Sequence, residues 1–101
     1  MNIIDEKDLK LFDTKLNRLL HTIRTAYVMA TTMTQRMTGY KQKHPNADDA
    51  KIKALFYEEL RNKERDILAN YDDMTMQAIT IGISFPFTLD EIINFIDNSI
   101  I

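Results

Sequence analysis

Side chains able to move protons, hold metals or attack carbonyls are few in this chain. His21 and His44 are its two imidazoles, and neither has a carboxylate or the other His at a spacing that would bring both to one metal or one proton. No Gly-rich phosphate loop, H-E-x-x-H or G-x-S-x-G occurs, and the absence of Cys removes a thiol nucleophile, a zinc thiolate and a disulfide framework. Acids are more plentiful at Glu58, Glu59, Glu64, Asp66, Asp72 and Asp73. A carboxylate metal centre in a helical bundle needs Glu-x-x-His or paired inward Glu on facing helices, and the preceding segment supplies no inward acid between Asp13 and Gly39. The acids alternate with Arg61, Lys63 and Arg65, which describes a salt-bridged solvent face. The expectation is a protein without catalytic residues, cofactor or metal, with His21 a boundary histidine beside an apolar seam.

Binding chemistry is better supplied. All 13 Lys and Arg lie at or before Arg65 against nine acids, a net of +4, and the six acids from Asp66 onward have no base among them. Arg36, Lys41, Lys43, Lys51 and Lys53 gather with His44 around one short segment, where they could grip phosphates. Cations of this kind also suit the C-terminal dipole of a helix, and Asp48 and Asp49 dilute the field. The pair AITIGIS and TLDEII has roughly the apolar and Gly spacing of a helix-turn-helix. Its second half carries Asp90, Glu91 and Asp97 with no Lys or Arg, which bars approach to bases through a phosphate backbone. Met29, Met33, Met37 and Met74 offer polarizable, adaptable contact surface, although the last three fall on apolar helical seams.

The elements that position these groups read as helices. The chain has 101 residues, 45% hydrophobic and 28% charged, with only two Gly and two Pro, which predicts one helical domain over 1–101 made of a few long elements. Apolar or small residues recur in steps of three and four at Leu9, Phe12, Leu16, Leu19, Ile23, Ala26, Ala30, Met33, Met37 and Tyr40. The spacing predicts one amphipathic helix over about residues 5–38 with Gly39 as its C-cap, weakest in the Thr-rich 31–38 stretch. Pro45 breaks the chain, and Asn46 or Asp48 can cap a second helix. Its seam runs through Ile52, Phe56, Leu60, Lys63, Ile67, Tyr71, Met74, Ala78 and Ile81 to a stop at Gly82. Folded as an antiparallel hairpin, the seams pair level by level when partner numbers add to 92–94. Thr88 and Glu91 form a capping box, with Phe87 and Ile92 at hydrophobic-staple spacing, so a short third helix starts at Thr88. It is expected beside the open end of the hairpin, covering Ile3, Ile4, Leu11, Leu20 and Ile79.

That arrangement leaves Tyr27, Val28, Met29, Leu55, Tyr57 and Leu68 uncovered toward the loop half, beyond reach of the short helix. The fold class expected is all-α: a two-helix hairpin plus a C-terminal helix, completing a four-helix bundle as a homodimer through this stripe. The corresponding function is a non-enzymatic interaction module, a small regulator, inhibitor or adaptor for a protein partner. The alternative is a nucleic-acid-associated protein using the basic segment from Arg36 to Lys53. The acidic N-terminal stretch has no signal-peptide pattern and no apolar run is long enough to span a bilayer, so no membrane role is expected and a reducing cytoplasm fits the Cys-free composition.

Overall fold

The computed structural model describes residues 4–101, and among these the regular structure is four helices: α1 (Glu6–Thr31), α2 (Met33–Lys43), α3 (Asp49–Thr80) and α4 (Leu89–Asp97). Asp5 caps α1 by accepting the Lys7 amide at 2.9 Å, and Glu6 and Asp8 place negative charge against the positive end of the helix dipole. The expected first helix is divided at Thr32, whose backbone (φ −122°, ψ 30°) leaves the helical region. Thr31 Oγ1 and Thr32 Oγ1 both donate to the Val28 carbonyl, at 3.2 and 2.7 Å. Hydroxyls that return to the backbone in this way compete with the helical ladder, and the Thr-rich stretch is where the ladder yields.

Gly39 is not a cap. It lies inside α2, its φ is not positive, and the helix runs on to Lys43, where the His44 amide closes onto the Tyr40 carbonyl at 2.8 Å before Pro45 stops it. Nothing stands within 4 Å of a Cβ placed on Gly39, so no tertiary reason selects glycine there. Asp48, one of the two candidates, caps α3 by accepting the Lys51 amide at 2.8 Å. At the other end Gly82 takes φ +74°, with Gly82 N–H to the Ile79 carbonyl at 3.1 Å and Ile83 N–H to the Ala78 carbonyl at 2.8 Å, the paired bonds of a Schellman stop. The capping box of α4 is closed in both directions at 3.1 Å between Thr88 and Glu91.

The limb formed by α1 and α2 runs antiparallel to α3, since Asp8 and Lys15 of α1 meet Gln77 and Asp73, and Lys41 of α2 meets Asp49. Leu19, Ala26 and Ala30 are fully buried with Phe56, Leu60, Ile67 and Met74 in one core that α4 completes with Ile92 and Ile96. Side-chain contacts between the limbs fall on both sides of the constant-sum register: Lys15 reaches Asp73 rather than Ala78, and Tyr40 reaches Glu59 rather than Ile52.

The short helix is also not where the sequence reading put it. It folds back toward the loop half: Tyr71 Oη donates to the Phe87 carbonyl at 2.8 Å below it, and Ile101 N–H reaches the Ala30 carbonyl at 3.1 Å above it. Ile4, Leu11, Leu20 and Ile79 therefore stay exposed, and Ile3 lies outside the described residues.

These contrasting glycines give a test by thermal or urea melting. Gly39→Ala should stabilise the chain by up to about 1 kcal/mol through helix propensity, whereas Gly82→Ala should cost about 1 kcal/mol or more by forcing a side chain into left-handed backbone.

Candidate functional site

An antiparallel helix pair has two flanking grooves, and their linings differ. One is apolar and is filled by α4; its fastening is electrostatic on the α3 side and aromatic on the α1 side. Arg61, on α3, pairs within its own helix with Glu64 and across to Asp97 Oδ1 at 2.9 Å, with its guanidinium 6.0 Å from the Tyr57 ring centroid. On the other edge the Tyr27 ring stacks on Phe95, centroids 5.4 Å apart and planes within 11°. Glu64 is buried, its side chain 8% exposed, in a position the seam reading gave to Lys63. Burial and then the neighbouring Asp97 raise its pKa, and the Arg61 partner does not offset them. Arg61 is itself held more firmly protonated, chiefly by its hydrogen bond to Asp97.

This placement changes the expected interface. Met29 is 1% exposed and belongs to the core, so it is not part of a free stripe. Leu55 and Tyr57 are half-buried, and Tyr57 packs against the core beside Phe56. Tyr27, Val28 and Leu68 keep substantial exposure, yet they are not all beyond the short helix, because Tyr27 touches it directly. Phe95 has no part in the sequence reading, which placed Arg61 and Glu64 on a salt-bridged solvent face and took Asp97 only as an acid of the short helix; Glu64 is instead buried, because its pair with Arg61 lies under α4. An acid three residues after an Arg, on the edge of an apolar seam, was the available sign of a buried clamp.

The second groove is polar. His21 lies at its centre, with Arg18, Thr22 and Asn70 on one side and Thr25, Lys63 and Asp66 on the other. Among the cations expected to meet phosphate, Lys43, Lys51 and Lys53 are exposed around the connector, and Lys41 pairs with Asp49 at 3.0 Å. Arg36 sits a turn lower, with its Nε donating to Thr32 Oγ1 at 3.3 Å. The five cations therefore form a loose array rather than one pocket. Nearby, Tyr40 donates to Glu59, and burial with that carboxylate pushes the phenol up to about 12.

Among the described residues no group of three His, Asp or Glu side chains is placed to share a metal ion, and no helix is long and apolar enough to cross a membrane. Comparison with protein-family models, with curated proteins and with solved structures finds no match.

The clamp on α4 has a pH signature. A carboxyl whose folded pKa is raised binds its proton more tightly folded than unfolded, so its contribution to stability is present below the ordinary carboxylate pKa and is lost as pH rises through the raised value. Across about pH 4 to 7, the melting temperature of the unaltered chain should fall relative to that of Glu64→Gln. Parallel curves would mean that Glu64 ionises as an ordinary surface acid.

Proposed function

We propose that this chain is a non-enzymatic helical interaction module, a small regulator, inhibitor or adaptor that works as a homodimer in the cytoplasm and binds a protein partner. The observation that carries the reading is the apolar surface left after α4 has docked. Tyr27 and Phe95 stack on one another yet remain 40% and 55% exposed, and Leu20, two turns before Tyr27 on the same side of α1, is exposed as well. A seam of this composition is costly in water and is the ordinary mark of a surface meant to be covered. A second copy related by a two-fold axis is the simplest cover, because an isologous contact needs one self-complementary stripe. Two hairpins joined there would bring four long limbs into one bundle. The cytoplasmic setting rests on the Cys-free composition.

Light scattering at micromolar concentration should return about twice the 11.8 kDa chain mass, and Phe95→Glu should halve it. A folded monomer for the unaltered chain would remove the dimer from this reading.

A second reading has its own support. No Asp or Glu occurs between Asp13 and Asp48, so α2 and most of α1 carry Lys15, Arg18, Arg24, Arg36, Lys41 and Lys43 with no acid of their own. Such a limb could follow a phosphate backbone. Binding to a short DNA duplex should then fall steeply with salt, with a log–log slope of about −0.9 for each phosphate met. No binding at low salt would end this alternative.

A further inference from the structure

We infer that the polar groove centred on His21 binds the sugar–phosphate backbone of a nucleic-acid duplex, without reading its bases; the inference deepens the second reading above, moves its contacts from the connector to the groove, and rests on it. Thr14, Arg18, His21, Thr25 and Val28 succeed one another in steps of four, three, four and three, and so form one wall about 21 Å long on α1. Lys63, Asp66 and Asn70 of α3 face it. Three adjoining hollows share His21: Arg18 lines one, Lys63 the next, and Arg24 with Arg36 the third. None of these four cations has an ion-pair partner among the described residues, and Asp66 is the only carboxylate among the residues lining the three hollows. The acids beyond the two ends are engaged, Asp73 by Lys15 at 3.0 Å and Glu59 by the Tyr40 phenol, which Arg36 also approaches.

Spacing and lining decide the occupant. A single compact phosphate is held by donors that converge on one point, whereas these cations are divided among three hollows in a row. Along each strand of a duplex a phosphate recurs about every 3.4 Å of axis, so a row of this length meets several. Single strands are gripped by a cationic groove together with rings on which the bases stack, and no Phe or Tyr lines these hollows. Reading bases takes a convex element inserted between the two backbones, whereas a concave site receives a backbone ridge. The acids of α4, Asp90, Glu91 and Asp97, lie with that helix in the other groove and do not line this one.

The probe is a fluorescein-labelled DNA duplex of about 16 base pairs, titrated with the full chain over a salt series and read by anisotropy. It should bind at low salt, and a second duplex of unrelated sequence should bind within about twofold of it. Arg18→Gln with Lys63→Gln, neither of which joins the core, should weaken binding at least about tenfold and make the log–log salt slope shallower by about 1.8. Lys51→Gln with Lys53→Gln, the same change of charge at the connector, should weaken it less than about threefold. Asp66→Asn should tighten binding more than Asp90→Asn, which removes the same charge from the other groove. Circular dichroism should show unchanged helicity for each variant. The single strand should bind more weakly than the duplex, and sodium triphosphate at matched ionic strength should not displace it. Preference for the single strand or for one sequence, displacement by triphosphate, equal losses from the groove and connector pairs, or equal effects of Asp66→Asn and Asp90→Asn would overturn the assignment. If the duplex binds through Lys51 and Lys53 and not through Arg18 and Lys63, this inference falls and the nucleic-acid reading stands, whereas no binding at low salt ends both.

Discussion

Two helices packed side by side can bury only one face each, and the groove along their flank must be closed by something else. In this chain the closure is α4, and the remaining architecture depends on how it is held. Nine residues of helix cannot cover limbs as long as α3, whose 32 residues span roughly 48 Å. A choice of level is therefore forced, and Arg61 settles it by bridging Glu64 on its own helix to Asp97 on α4. The Tyr27 and Phe95 stack fixes the opposite edge, and the Ile101 amide on the Ala30 carbonyl ties down the end. A buried carboxylate is tolerated because its partner also serves the second carboxylate, although the arrangement is weaker evidence for stability than for a specified position.

Local chemistry was legible in the residues. Asp48, Gly82 and the Thr88 and Glu91 box each satisfy orphan backbone groups with atoms a few residues away, so their roles can be read without knowing the fold. The steps of three and four named nearly all the core for the same reason: Leu19, Ala26, Phe56, Leu60 and Ile67 need only helical periodicity to share a face. Gly39 misled because glycine commonly stops helices, yet a helix can carry it where the next turn, here up to Lys43, is still able to form. The break came instead at Thr32, where several hydroxyls act together.

The features hidden from the sequence were decided between elements. An amphipathic helix such as α4 announces which face it buries and says nothing about what it is buried against. Both ends of the hairpin offered apolar residues, and the preference for its middle depends on Arg61, Glu64 and Asp97 meeting in space, a relation with no local spacing on α4 to reveal it. That choice has consequences for function. It takes Met29 out of the surface, leaves Tyr27 half covered, and sets free the outer stripe of α3 at Leu68, Met76 and Ile79.

The central claim is that α4 lies along the middle of the hairpin, between the levels of Tyr71 and Arg61, and not at its open end, and its most direct test is a paramagnetic label. The chain has no Cys, so Asn98→Cys, at an exposed position just past α4, carries a single nitroxide. Once the broadening between chains, measured on a mixture of nitroxide-free 15N chain and nitroxide-bearing unlabelled chain, is subtracted, amide signals around Ala30 and Arg61 should broaden and those around Leu11 and Ile79 should stay sharp. Broadening at Leu11 and Ile79 with sharp signals at Ala30 and Arg61 would place α4 at the other end and contradict the account.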